Sequence, residues 1–558
     1  MNDHPRHPDP LTRVVDARRE VGETDVDPVV ATVLSGVFII VIALPSLLQL
    51  TLDPTLLRTQ SGGARAAVPA GVLSRVLDAN RTLLNRAEQM TDVIGERSVL
   101  VDAVRPGVQQ VMTGLLQAGT ELVYTGNDQW LFFGTDVGSV TGPPFLAPSV
   151  LLRRSTSGDT LRGPPQPDPR VAILDLHRAL RARGIDLVVM PTPTKPSVHP
   201  EQLGGLSAST PRNASFTPFT EELQAESVLV FDPSPVLSEL KSATDAPLYL
   251  ATDTHWRPET MTVVAGRLAA FIEEHVQLPP GDVPYRSATL EVVNQGDTTR
   301  LLDLKSPATL FPSETVRIRQ ISPADGTRWR SDPDATVLLL GDSFTNIYSL
   351  EAMGWGESAG LAEQLSYELG RSVDRISQND GGAHAPREQL ATELSRGRDR
   401  LAGKRVVVYQ FSERELSYGD WRRVDLNLRA APNLSTFATP TDGQRVRVRG
   451  VIRAIGPIPT PGSVPYKDHI VGVHVSDLEI DPGSDPIAGT EAAVYLWAMQ
   501  DDELTIVAQY QVGDTVTLEL EPWSDVADVL EGINRGELSD TRVQLAEPWW
   551  GRPAEETP

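Results

Sequence analysis

Two short stretches of this chain carry the residue types that serine chemistry uses. The first is Gly341-Asp342-Ser343, delivered by the apolar run Val337-Leu338-Leu339-Leu340. A buried strand of this kind presents its carboxyl end where α/β proteins build their sites. Glycine permits a sharp turn, and the chain beyond it can open a helix whose free N–H groups face a developing oxyanion. Ser343 is therefore a candidate nucleophile, although Gly-Asp-Ser alone also fits a strand-to-helix turn in which Ser343 merely caps. A serine needs a base, and the second stretch, Asp253-Thr254-His255-Trp256, offers one. Asp253 can accept a hydrogen bond from the His255 Nδ1–H and fix the tautomer, leaving Nε2 for the serine proton. Asp-x-His is also the spacing of a metal-ligand pair or of a simple turn. The chain has no cysteine, and no further histidine or carboxylate cluster stands at ligand spacing beside the motif, so no metal is expected. A second candidate base is His384, in Asn379-Asp380-Gly381-Gly382-Ala383-His384. The glycine N–H groups of that stretch also suit an oxyanion pocket, which makes Asn379, Gly381 and Gly382 candidates by position.

These residues must be held by a scaffold, and the pattern between about 121 and 433 supplies one. Short apolar runs at 186–190, 228–231, 336–340, 373–376 and 405–411 alternate with helical periodicity near 171–182 and 258–275. That alternation predicts an α/β domain with a parallel sheet covered on both faces, a three-layer sandwich. Beyond about 434 the helices fade. Alternating runs at 445–455, 470–475, 492–499, 504–510 and 515–520 predict five strands of a small OB-like barrel, with a β-sandwich as the alternative. This region holds Trp497, Trp523, Trp549 and Trp550, four of the nine tryptophans. Such rings either stack on sugars or fill a core, Trp497 and Trp523 within the barrel and Trp549 and Trp550 packing the tail against it.

The remaining sequence bounds the setting. A chain of 558 residues with 40% hydrophobic and 22% charged content is that of a multidomain globular protein. Its formal net charge of -24 argues against nucleic acid as a partner, because phosphate binding needs a basic surface. An anionic polymer would need a locally basic groove, for which Arg371, Arg375, Arg387 and Arg414 are the available residues unless they form ion pairs. Residues 28–52 carry no charge and centre on Val37-Phe38-Ile39-Ile40-Val41-Ile42-Ala43-Leu44, long enough for one membrane span. The predicted order is an N-terminal tail at 1–27, which the family resemblance given below makes cytoplasmic, a signal anchor at 28–52, a helical stem at 53–120, the α/β domain at 121–433 and a β-rich accessory domain at 434–558. Arginines flank the span on both sides, so charge bias alone leaves the orientation open.

Taken together the segments resemble the SGNH-like acetyltransferases of the alginate O-acetyltransferase (AlgJ/AlgX-like) type, in which Asp-x-His-Trp precedes Gly-Asp-Ser. Ordinary SGNH esterases carry the serine first. Gly126-Asn127-Asp128-Gln129-Trp130-Leu131-Phe132-Phe133 and the strand followed by Pro191-Thr192-Pro193-Thr194-Lys195 resemble further motifs of this family. The resemblance implies Ser343 as nucleophile, His255 as general base, Asp253 as its orienter, and Trp256 and Lys195 as accompanying residues that bind substrate or support the oxyanion. It implies an acetyl group carried on the serine to hydroxyls of an extracellular polysaccharide, without a cofactor. It further implies a membrane-bound O-acyltransferase as donor partner and a periplasmic catalytic domain anchored in the inner membrane. A polysaccharide acetyl esterase and a non-catalytic glycan-binding scaffold are the alternatives.

Overall fold

The computed structural model describes residues 29–30, 32–38, 99–156, 165–204, 211–379, 381–430, 433–464 and 466–554. Most of the expected span at 28–52 and most of the stem at 53–120 lie outside the described residues. Among the described residues no helix is long and apolar enough to cross a membrane. The helix Val99–Leu116 falls at the end of the expected stem. The chain divides into two units, Met1–Val108 and Gln109–Pro558, and the following concerns the second.

Five parallel strands form the central sheet: β1 (Asp186–Thr192), β2 (Leu229–Val230), β3 (Val337–Gly341), β4 (Asp374–Ser377) and β5 (Val406–Ser412), in the spatial order β2-β1-β5-β3-β4. Every residue of β3 and β5 is buried, which is why both read as continuous apolar runs rather than alternating ones. Side chains nevertheless part to opposite faces by residue parity. Val337, Leu339, Val406 and Val408 pack with Met261, Val264 and Leu268 of the helix Pro258–His275 and with Leu361 and Leu365 of the helix Leu361–Leu369. Leu338, Leu340, Val407 and Tyr409 pack with Ile173, Leu176 and Leu180 of the helix Pro169–Arg181, and with Leu390 and Leu394 of the helix Ala385–Ser395. Each fully buried leucine or valine contributes about 1.5–3 kcal/mol, and the result is the three-layer arrangement that the sequence predicts. An antiparallel hairpin, Tyr285–Asn294 with Glu314–Pro323, is inserted ahead of β3 and was not foreseen.

The C-terminal region is a closed five-stranded barrel of β6 (Val446–Ile455), β7 (His469–Ile480), β8 (Glu491–Gln500), β9 (Thr515–Pro522) and β10 (Trp549–Pro553). The ring runs β6-β7-β8-β10-β9 and back to β6. The strand predicted at 504–510 is not part of the ring. Only Glu503–Leu504 pairs, on the edge of β8, and Thr505 then caps a 3-10 turn at Ile506–Gln509. The fifth place is taken by Trp549–Pro553, so Trp549 and Trp550 are strand residues and not a packed tail. Trp549 fills the barrel interior, and Trp550 lies with Trp497 and Trp523 in a separate cluster on the outside of the wall.

Candidate active site

At the end of β3 the chain turns so tightly that a methyl on Gly341 would stand 2.1 Å from Thr345 Oγ1 and 2.8 Å from its Cβ. Thr345 is fixed because its hydroxyl donates to Gln410 Oε1 at 2.9 Å, so the position excludes any side chain. Asp342, not Ser343, is the cap of the one-turn helix Ser343–Asn346. Its Oδ1 accepts from the Phe344 N–H at 2.9 Å and its Oδ2 from the Ser412 N–H at 2.7 Å. The aspartate thus ties the turn after β3 to the end of β5, and the Ser343 hydroxyl is released from capping.

That hydroxyl lies 2.8 Å from His255 Nε2. On the other side of the ring, His255 Nδ1 lies 2.6 Å from Asp253 Oδ1. With Nδ1–H donating to the carboxylate, Nε2 accepts the serine hydroxyl. Asp253 is further held by the Trp355 Nε1–H at 2.9 Å and the Asp297 N–H at 3.1 Å, both on Oδ2. Burial alone would raise the Asp253 carboxyl, but the hydrogen bond and charge of His255, with those two donors, hold it well below the usual carboxylate range. Burial likewise pushes His255 down, and the hydrogen bond and charge of Asp253 outweigh it, so the imidazole is raised above its ordinary 6.5.

A second carboxylate belongs to this arrangement. Asp297 Oδ2 is 3.8 Å from His255 Nδ1. It accepts the Thr254 hydroxyl at 2.8 Å, while its Oδ1 accepts the Thr254 N–H at 3.0 Å. Burial and the charge of Asp253 raise its carboxyl to about 6. No motif announces Asp297, which is 42 residues beyond His255; the local signal was Asn294-Gln295-Gly296-Asp297, an acid presented after a glycine. Asp253, His255 and Asp297 place one potential ligand atom each within 4.8 Å of one another, the one such group among the described residues. Their inward lone pairs already serve the Nδ1, Trp355, Thr254 and main-chain donors, so a cation there would have to displace those bonds.

The loop that carries His255 is held from several elements. Lys195, fully buried, donates from Nζ to Leu131 O at 2.6 Å and to Ala251 O at 3.0 Å. It therefore supports the loop from beneath and does not reach outward as a ligand contact. Burial lowers its ammonium to about 8. Glu314, from the inserted hairpin, accepts the Ala251 and Thr252 N–H groups at 3.0 and 2.9 Å. Trp256 is also fully buried; its ring meets Phe344 edge-on with centroids 5.4 Å apart. It packs against the residue after Ser343 and is not exposed to a ligand.

The remaining candidates make the following contacts. His384, the second candidate base, starts the helix Ala385–Ser395 with Nε2 3.9 Å from Glu388, and burial lowers its pKa. Asn379 accepts from Asn346 Nδ2 at 2.9 Å and directs its own Nδ2 at Met353 Sδ, 3.1 Å away. Its amide is thus occupied. Gly381 stacks against the side chains of Ala385 and Gln378, and Gly382 lies beside Glu415 and His384. The four arginines do not form a basic groove. Arg387 is fully buried and bonded to Tyr409 Oη and Arg422 O, Arg371 donates to Pro279 O, Arg375 pairs with Glu363 and Arg414 with Asp136.

A probable alginate O-acetylase AlgJ of Pseudomonas aeruginosa is 29% identical over 315 residues, covering 54% of this chain and 72% of that one. Among solved structures, the O-acetyltransferase domain of Pseudomonas putida AlgJ aligns over 55% of this chain and 94% of its own, with a TM-score of 0.40 and 21% identity. Pseudomonas aeruginosa AlgX aligns over 72% of this chain and 91% of its own, with a TM-score of 0.37 and 15% identity. Residues 123–413, which contain the sheet, the serine turn and the histidine loop, match the model for the SGNH hydrolase-like domain, acetyltransferase AlgX. The chain belongs to this family of SGNH hydrolase-like acetyltransferases.

Proposed function

We propose that the protein is a serine-dependent O-acetyltransferase that moves an acetyl group through an acyl-Ser343 intermediate to hydroxyls of an extracellular polysaccharide. The observation that carries the reading is the imidazole of His255 bridging Ser343 Oγ at 2.8 Å and Asp253 Oδ1 at 2.6 Å. In the first half-reaction, Ser343 Oγ attacks the acetyl carbonyl while its proton passes to His255 Nε2, and the same proton then goes to the departing group. Asp253 and Asp297 favour the imidazolium that forms. The Ser343 N–H, at the first position of its helix, has no intrahelical acceptor and suits the oxyanion. In the second half-reaction a sugar hydroxyl gives its proton to Nε2 and takes the acetyl group, which regenerates the serine.

Kinship with alginate O-acetylases supports an exopolysaccharide, alginate-like or other, as acceptor and a membrane-bound O-acyltransferase as donor partner. The uncharged stretch at 28–52 supports an inner-membrane anchor, and the kinship supports a catalytic domain on the periplasmic side. The test is to incubate the protein with an activated acetyl ester and candidate oligosaccharides and to locate new acetyl groups by mass spectrometry. Transfer that persists in Ser343→Ala would sink the acyl-serine, and free acetate without acetylated sugar would make the protein an esterase.

A further inference from the structure

The barrel meets the catalytic domain at the segments that carry the site. In the stretch after β9, Gly532 lies against the nucleophile helix so closely that a methyl on it would stand 2.4 Å from Leu350 Cδ1 and 3.2 Å from Asn346 Nδ2. Asn346, the last residue of that helix, is fully buried. Its Nδ2–H donates to Asn379 Oδ1 at 2.9 Å and its Oδ1 accepts the Ser377 hydroxyl at 2.7 Å. On either side of Gly532, Glu531 accepts a hydrogen bond from Gln389 Nε2 of the catalytic domain, and Ile533 packs with Ile470 and Trp550 on the barrel. A second contact reaches the other half of the site. Asp502, in the turn after β8, is 4.0 Å from Arg300 Nε, in the short helix Asp297–Arg300 that begins with the second carboxylate. Arg396 adds bonds to Gln544 O at 2.7 Å and Ala546 O at 3.0 Å.

We infer that the barrel is an integral part of the catalytic site, in which Gly532 is a positioning residue that seats Asn346 and so fixes the direction of Ser343 toward His255. The inference rests on the serine reading proposed above. A single helical turn cannot hold its own orientation, since nucleating one is unfavourable without tertiary support. Here Asp342 anchors the front of the turn, Asn346 anchors the back, and the connection between β9 and β10 closes over the back anchor. Any side chain at 532 must push Leu350 or the Asn346 amide, and a shift of about 1 Å at a reacting group can lower a rate by about a hundredfold.

The experiment uses the full chain and two readouts that need no polysaccharide: the rate of Ser343 sulfonylation by phenylmethylsulfonyl fluoride, followed by mass spectrometry, and acetyl transfer from a small activated ester to a short acceptor. Gly532→Val is expected to slow sulfonylation and kcat by roughly ten- to a hundredfold, with KM for the short acceptor within about twofold and cooperative thermal unfolding of the barrel retained. Gln389→Leu, made from the catalytic side, is expected to act in the same direction by about threefold. Val512→Ala, at a position 64% exposed on a barrel turn, is expected to react like wild type. Wild-type rates in a folded Gly532→Val would overturn the inference, and so would wild-type rates in Gln389→Leu if the valine variant does not fold. If wild type is not sulfonylated at Ser343 and Ser343→Ala transfers acetyl normally, the serine reading itself fails instead.

Discussion

Replacing Asp297 by Asn separates the charge of the second carboxylate from its hydrogen bonding. The amide keeps an oxygen for the Thr254 N–H, and the Thr254 hydroxyl can rotate to meet the new NH2, so the loop retains its main contact. What disappears is a negative charge 3.8 Å from His255 Nδ1. At that separation a unit pair interacts by about 4 kcal/mol at an effective dielectric near 20 and by about 1 kcal/mol in water. The carboxyl is raised to about 6, so it is only partly ionised where the imidazole begins to titrate, and the effect belongs near the lower figure. An anion beside an imidazolium favours the protonated form, so its loss lowers the His255 pKa. The base must be neutral to take the serine proton. The acid limb of kcat/KM, measured against pH with a small acetyl ester, is therefore expected to move to lower pH by about one unit in Asp297→Asn, with the plateau reduced by less than about tenfold. An acid limb that stays in place, or moves upward, would refute the electrostatic role and leave Asp297 as a clamp for the loop.

Ser343→Ala and His255→Ala should each lower acetyl transfer by at least several hundredfold while leaving the fold intact, read by circular dichroism, and Asp253→Asn should do likewise by favouring the wrong tautomer. Lys195→Met removes the donor from two buried carbonyls, Leu131 O and Ala251 O, and should destabilise the domain by about 3 kcal/mol, read by urea unfolding. Deleting 434–558 should cost more than binding of long acceptors. Because the barrel covers Asn346 and Leu350, activity toward short acceptors should fall as well, and equal retention of that activity would show the domain to be dispensable. Finally, the full chain should sediment with membranes and resist salt, and removal of residues through 52 should release it; a full chain that stays in the supernatant without detergent would dismiss the anchor.

The reacting groups were legible because each is encoded over a few residues. Asp253 and His255 are two apart, and Gly341, Asp342 and Ser343 are contiguous after an apolar strand, so local pattern names residues that the fold brings within hydrogen-bond reach. Asp297 and Trp355 were not legible, since one lies in the loop between the strands of the inserted hairpin and the other beyond the helix Ser343–Asn346, and both reach Asp253 only through tertiary structure. The arginines misled for a related reason: sequence shows their charge but not Asp136, Glu363 or Tyr409 waiting beside them. In the barrel, 504–510 has the alternation of a strand, yet the Thr505 hydroxyl accepts from the Val507 N–H and turns the chain. Trp549–Pro553 lacks that pattern because it contains a glycine and ends in a proline. Gly551 fits there because Val494 Cγ1 and Leu496 Cδ2 would lie 2.6 and 2.8 Å from any Cβ, a demand set by neighbouring strands and invisible in the local sequence.

The order of the sheet carries a consequence for how the protein is made. Val406–Ser412 is the last of the five strands in the chain and the middle one in space, between Asp186–Thr192 and Val337–Gly341. While a ribosome is still adding residues before 406, the serine turn and the histidine loop already exist as sequence, but the two halves of the sheet have no strand to join them. Asp342 then has no Ser412 N–H to accept from, and Thr345 no Gln410 to donate to. The nascent chain then holds Asp253, His255 and Ser343 without the central strand of the sheet that positions them. Arrival of that strand joins the halves and brings the Ser412 N–H and Gln410 to the turn after Val337–Gly341, so the turn is anchored only in a chain whose sheet is complete.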